Sequence, residues 1–189
     1  MRAFLDAGVN VSLGTDGCGS IETVDMLRAV SSTALVHKLR GDDHTRWVDA
    51  GDAWHAGTLG GAKALGFEGK MGLVAPGMRA DVTCYKLVSS AFTPLNNPLR
   101  PVVYGETGAD LDTIIIDGRV VMRYGKLSGI DEDSILSEAQ EAHAELEPFI
   151  SAAEEQTAEM APAYARIYAR CQALAIDPAV LPARFPDLK

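Results

Sequence analysis

A short, mainly apolar run that ends in a glycine-bracketed acid constrains this chain more than any other stretch. Val9-Asn10-Val11-Ser12-Leu13 leads without interruption into Gly14-Thr15-Asp16-Gly17. Such a run reads as a buried strand of a parallel sheet. A carboxylate just past the C-terminal end of such a strand lies where α/β barrels place their chemistry. Gly14 and Gly17 let the backbone turn sharply and leave room for a ligand. The same residues also suit an ordinary turn, because Asp-Gly after a strand is common turn chemistry. Asp16 is therefore a candidate site residue, with a plain turn as its alternative.

The length of 189 residues suits one domain, or one small domain with a piece of another. An apolar content of 47% is enough to build a core. The net charge of −9 argues against nucleic acid or an anionic membrane surface as partner, since both would repel the chain. The three cysteines, Cys18, Cys84 and Cys171, are widely spaced and form no metal-binding pattern. They suit a reducing compartment without a disulfide framework. The N-terminus has no long apolar core of the signal-peptide kind, and no stretch approaches the roughly 20 apolar residues that span a bilayer. A soluble cytoplasmic protein is expected.

Before the candidate strand, Phe4 and Leu5 belong to the end of a helix that Gly8 would close. After Asp16 comes a polar loop, Cys18-Gly19-Ser20. Val24, Leu27, Val30, Ala34 and Leu35 then recur at helical spacing, with Thr23 as N-cap and Asp25 in the first turn. Lys38 and Arg40 sit in the last turn before Gly41, as the helix dipole prefers. A second helix is expected over residues 50–65, capped by Asp49 and ended by Gly66. Glycine in a helix costs about 1 kcal/mol relative to alanine, so Gly57, Gly60 and Gly61 call for tight docking of that helix.

From Gly72 the hydrophobic period changes to two. Strands are expected over residues 80–87, 102–104, 113–116 and 119–123. Asp117-Gly118 specifies a two-residue type I′ hairpin between the last two. Pro76-Gly77, Asn97-Pro98 and Tyr124-Gly125 mark further turns. Asp131 then caps a long acidic helix with the stripe Ile135, Ala139, Ala142, Leu146, Phe149 and Ile150, which Pro148 should kink or break. A last helix follows Pro162, with Tyr164, Ile167, Tyr168, Cys171 and Leu174 on one face. The tail from Asp177 carries three prolines and is expected to wrap the surface.

Four segments taken together resemble the C-terminal end of the amidohydrolase superfamily, in its cytosine-deaminase and chlorohydrolase branch. They are Asp6-Ala7-Gly8-Val9-Asn10-Val11-Ser12-Leu13-Gly14-Thr15-Asp16-Gly17, Gly61-Ala62-Lys63-Ala64-Leu65-Gly66, Gly72-Leu73-Val74-Ala75-Pro76-Gly77-Met78-Arg79-Ala80-Asp81-Val82, and Asp112-Thr113-Ile114-Ile115-Ile116-Asp117-Gly118-Arg119-Val120-Val121. They stand in the family's order over residues 5–135. The resemblance implies an α/β fold plus a small β-sandwich. Residues 1–70 would be the last β/α unit of a TIM-type metallo-hydrolase (β/α)8 barrel. Residues 71–130 would be the sandwich portion with its antiparallel β unit, and residues 131–189 the C-terminal helices and tail.

The resemblance further implies that Asp16 is both a metal ligand and the catalytic proton shuttle of a site holding Zn²⁺ or Fe²⁺. Such an ion lowers the pKa of bound water from about 15.7 to about 7, giving hydroxide at neutral pH. A carboxylate beside it takes the water's proton and delivers it to a departing amine. The implied activity is metal-dependent hydrolysis of non-peptide carbon–nitrogen bonds, as in a deaminase of a heterocyclic small molecule.

The family pattern also carries a His-x-His pair and two histidines on middle strands. This sequence has only His37, His44, His55 and His143, none in that arrangement. The loop after Asp16 carries Ile21-Glu22 where asparagines are often seen. One carboxylate does not hold a catalytic zinc, which takes three protein ligands. The chain is therefore expected to be the C-terminal part of a longer enzyme, whether as a fragment, through a coding start placed too late, or as one piece of a split protein. Alone it would lack activity, and a complementing N-terminal part or a homo-oligomer would be its partner. The rival expectation is a catalytically inactive interaction or oligomerisation module derived from the same fold.

Other residues have plainer readings. Cys18 lacks a nearby histidine to activate it and reads as a loop residue. Trp47 and Trp54 read as packing for the 50–65 helix. Asp131-Glu132-Asp133 reads as helix-start electrostatics. The Tyr164/Tyr168 face suits either a subunit contact or packing on the chain's own β unit.

Overall fold

The computed structural model describes residues 1–19, 23–40 and 43–174. Gly41, the Ile21-Glu22 departure and the proline-bearing tail from Asp177 lie outside the described residues. Residues Met1–Ile130 form one compact unit, and the chain from Asp131 onward forms a second.

Local capping sets the helices of the first unit. Helix α1, Arg2–Asp6, closes with Gly8 at φ +70°. The Gly8 amide donates to the Leu5 carbonyl at 3.0 Å and the Val9 amide to the Phe4 carbonyl at 2.9 Å. This is the paired closure of a Schellman motif. Helix α2, Met26–Val36, starts two residues later than expected, because Asp25, not Thr23, is its cap and accepts from the Arg28 amide at 3.1 Å. A 3-10 turn over His37–Arg40 continues it.

The helix expected over residues 50–65 is two helices, α3 over Ala50–Gly57 and α4 over Leu59–Ala64. Asp49 and Asp52 make the reciprocal capping box that starts α3. The break falls at Thr58, at φ −123° and ψ −89°. There the Ala56 carbonyl accepts from the Leu13 amide at 3.2 Å. The small residues admit this approach: a Cβ on Gly57 would sit 2.7 Å from Val30 Cγ2, and one on Gly60 would collide with the Val11 carbonyl.

Residues 9–13 are not a strand. They run extended along α3 and α4, with Val9 49% exposed and Val11 and Leu13 half-buried. A parallel strand needs a neighbour to ladder with, and none lies beside this run among the described residues. The core of the unit lies between helices instead, with Val30, Ala34, Ala50, Ala53 and Val103 buried and Leu13, Trp54, Leu99 and Tyr104 packed against them.

Val103 belongs to a second correction. The strand expected over residues 102–104 is a helix, α5, Leu99–Tyr104. Its start is fixed by Asn97, whose Oδ1 accepts from the Leu99 and Arg100 amides at 3.0 and 3.1 Å. That cap, with burial of Val103, outweighs the β preference of Val102-Val103-Tyr104. Burial of a valine of this kind contributes about 1.5–3 kcal/mol.

The remainder of the unit is one antiparallel sheet in the order β1-β2-β3-β4: Val82–Tyr85, Leu111–Ile116, Arg119–Arg123 and Lys126–Leu127. Asp117 and Gly118 are at φ +48° and +78°, as a type I′ turn requires. Tyr124 and Gly125, at +54° and +75°, make a second tight reversal that adds β4, which the sequence reading omitted. The sheet is a single layer; no second sheet of a sandwich faces it among the described residues.

In the second unit, Asp131 caps α6, Glu132–Ala158, accepting from the Ser134 amide at 3.1 Å. The helix is not broken at Pro148. Alanine and glutamate, both strong helix formers, dominate the turns on either side and carry it past the lost hydrogen bond. Helix α7, Ala161–Ala173, follows with a proline in its first turn. Within this unit no residue of either helix is buried.

Candidate active site

Asp16 lies on the turn that follows the extended run, with its side chain exposed and its backbone at φ +64°. Few residues other than glycine occupy that left-handed region, and aspartate and asparagine are the usual ones. Its Oδ1 accepts from the Gly17 amide at 2.8 Å. The Thr15 hydroxyl donates to the Asp16 carbonyl at 3.3 Å. These local bonds hold the carboxylate outward on a strained turn.

The other acid–base side chains do not join it. No group of three His, Cys, Asp or Glu side chains that could hold a metal ion exists among the described residues. His37 opens the 3-10 turn after α2, and His44 opens another over His44–Arg46, with Nδ1 3.6 Å from Asp43 Oδ1. His55 is in the last turn of α3, where a cation is favoured, and His143 is exposed on α6. Cys18 is an exposed loop thiol. Trp54 packs against the core as expected, whereas Trp47 is 36% exposed and stands edge-on to His44. Asp131 acts as the cap of α6, and Tyr164 and Tyr168 are exposed.

An open apolar groove of about 770 Å³ has a lining that includes Leu13, Trp54, Leu73, Val74, Val82 and Tyr85; Asp16 is not part of that lining. Burial pushes the Tyr85 phenol above its ordinary pKa, opposed by a bond to Thr83 and reinforced by the Glu106 carboxylate. Glu106, which sequence reasoning missed, is buried, and its Oε1 accepts from the Thr107, Gly108 and Asp110 amides at 3.0, 2.6 and 3.2 Å. Nothing in the Gly105-Glu106-Thr107 stretch distinguishes this residue from a surface glutamate.

A model of the amidohydrolase family matches residues 1–121, a stretch that includes Asp16 and the whole groove. The chain belongs to the amidohydrolase family. Among its relatives is the 5′-deoxyadenosine deaminase of Methanothermobacter thermautotrophicus, 41% identical over 143 residues, covering 76% of this chain and 33% of that protein. Another is the 5-methylthioadenosine/S-adenosylhomocysteine deaminase of Acetivibrio thermocellus, 39% identical over 132 residues, covering 70% and 30%. An adenosine deaminase from Xanthomonas campestris, crystallised with bound zinc, superposes with a TM-score of 0.73 at 29% identity, covering 78% of this chain and 33% of that one. The chain thus spans about a third of the length of these amidohydrolases.

A catalytic zinc takes three protein ligands. Asp16 is one oxygen donor with no partner donors grouped beside it among the described residues, so this donor set does not fit a metal by itself.

Proposed function

We propose that this chain is the C-terminal part of a metal-dependent amidohydrolase that deaminates a heterocyclic small molecule of the purine nucleoside class. Asp16 is the carboxylate it brings to that site. In this reading Asp16 accepts a proton from the attacking water and returns it to the departing amine. The observation that carries the proposal is Asp16 itself, an acid held outward at φ +64° within the stretch that matches the family. The names of the relatives, all deaminases of adenosine-type nucleosides, support the substrate class. The remaining metal ligands, for Zn²⁺ or Fe²⁺, come in this reading from a part of the enzyme outside this sequence.

The test is a fused protein in which the unmatched portion of the Methanothermobacter deaminase precedes Met1. Release of ammonia from 5′-deoxyadenosine is expected, with a loss of about 10²–10⁴-fold in kcat on Asp16→Asn. A folded fusion without activity would overturn the substrate assignment, and an active Asp16→Asn variant would overturn the role of Asp16. Tight, stoichiometric zinc in the 189-residue chain alone would contradict the assignment of the remaining ligands to another part of the enzyme.

A further inference from the structure

Helix α6 repeats its apolar residues with the spacing of a coiled-coil seam. Ile135, Ala139, Ala142, Leu146, Phe149 and Ala153 follow one another at alternating intervals of four and three. That period keeps one stripe turned toward a partner helix, with these residues at the a and d positions of the heptad. One flank of the stripe carries Leu136, His143 and Ile150 and no acid. Asp133, Glu141, Glu147, Glu154 and Glu155 fall at the b and c positions, away from the seam, while Glu138 and Glu145 border its other flank. The whole stripe is exposed, Leu146 at 54% and Phe149 at 74%. Glu159 and Met160, which join α6 to α7, both have right-handed helical backbone, with φ −63° and −85°. The chain therefore runs onward into α7 and does not fold back over the stripe.

We propose that α6 pairs antiparallel with α6 of a second copy of this chain, about a two-fold axis beside Ala144. The order of large and small residues selects this occupant, because the seam is complementary to itself under that axis. Ile135 meets Ala153 of the second copy, Phe149 meets its Ala139, and Leu146 meets its Ala142. These are the a-against-d layers of an antiparallel pair, each with one large side chain over one alanine. Such alternation lets facing layers interdigitate without voids or clashes. A parallel pair in register would stack Phe149 on Phe149 and Ala142 on Ala142, overpacking one layer and emptying the next, with the two helix dipoles side by side. On the acid-free flank, Leu136 comes beside Ile150 of the second copy. The exposed parts of Ile135, Leu136, Leu146, Phe149 and Ile150 amount to on the order of 500 Å² per copy, hence about 1,000 Å² across both, the lower bound for a specific interface. Each copy carries a net charge of −9, and salt screens that repulsion beyond about 8 Å at physiological ionic strength. The dimer is accordingly weak and strengthened by salt.

Sedimentation equilibrium of the 189-residue chain tests it. A reversible dimer is expected, with a dissociation constant of about 1–100 µM that tightens at least about threefold as salt rises from about 0.05 to 0.5 M. Leu146→Glu replaces an exposed side chain, so the helix content of the monomer should hold while dimerisation weakens at least about tenfold. The register is read by cross-linking, with the exposed Cys18, Cys84 and Cys171 replaced by serine. Ile135→Cys chains mixed with Ala153→Cys chains should oxidise to a mixed disulfide dimer, and Ala153→Cys chains alone should not. A chain that stays monomeric throughout that concentration range, or a dimer indifferent to Leu146→Glu, overturns the proposal. Cross-linking of Ala153→Cys to itself would assign a parallel pair and overturns the antiparallel register. A folded, monomeric form of the fused protein described above also overturns it, by giving the stripe to the same polypeptide. None of these outcomes bears on the deaminase reading, which the release of ammonia decides.

Discussion

The carbonyl of Val11 occupies the space that a Cβ on Gly60 would need. This backbone-on-backbone contact locks the extended run to the start of α4. Gly60→Ala should therefore destabilise the chain by about 1–3 kcal/mol, because the strain of overpacking exceeds the roughly 1 kcal/mol that alanine gains in a helix. Gly61→Ala is the control. Its nearest neighbour would be the Ala56 carbonyl at 3.9 Å, an ordinary contact, so the change should stabilise by up to about 1 kcal/mol. Urea unfolding of both variants reads the difference in sign.

Asp16→Asn separates the chemistry of the position from its conformation. Asparagine tolerates the left-handed backbone as well as aspartate does, so stability should stay within about 0.5 kcal/mol of the parent chain. Asp16→Ala should lose about 1–2 kcal/mol, since alanine meets the full cost of the left-handed region. Equal losses in the two variants would make the carboxylate, rather than the backbone, the structural element.

Asp6 gives the chain an acid-sensitive clasp. Its carboxyl is held below the ordinary aspartate range by hydrogen bonds from Arg46 and then Arg2, at 2.8 Å each. Arg2 also reaches Asp52 of the α3 capping box at 3.2 Å. Because the folded value is depressed, the stabilisation is present above the unfolded value of about 3.9 and is lost as pH falls through the lower folded value. Carboxyl NMR titration of Arg46→Met should show the Asp6 midpoint moving up.

Glu106 closes the loop between α5 and β2 with three amide donors on one oxygen. Glu106→Ala leaves those amides without their acceptor and should cost at least about 2 kcal/mol. Amide exchange at Thr107, Gly108 and Asp110 should speed up in the same variant, ahead of exchange in β2.

Features governed by neighbours in the chain were legible in the sequence. The Asp49 and Asp131 caps, the Asp117-Gly118 turn and the close approach at Gly57 and Gly60 each follow from one or two residues and their local geometry. Features governed by distant partners were not. Residues 9–13 have the composition of a barrel strand, but a strand exists only with a neighbour to pair with. Val102-Val103-Tyr104 has β character that the Asn97 cap and the helical core override. The break at Thr58 depends on Leu13, 45 positions away by number. For the candidate site, the sequence offers Asp16, because a strand-like run followed by a bracketed acid is a local pattern. Glu106 and the groove could not, since burial and concavity belong to the folded surface.

The closure of α1 limits what can lie beside the run it leads into. Successive amides of an extended chain point to opposite sides, and those of Val9 and Leu13, an even number of positions apart, are already engaged by the Phe4 and Ala56 carbonyls. Only the flank bearing the Asn10 and Ser12 amides is open to an incoming ladder. The run is thus one-sided as it stands, and a strand arriving on its other flank must first displace the Leu13–Ala56 bond beside the break at Thr58.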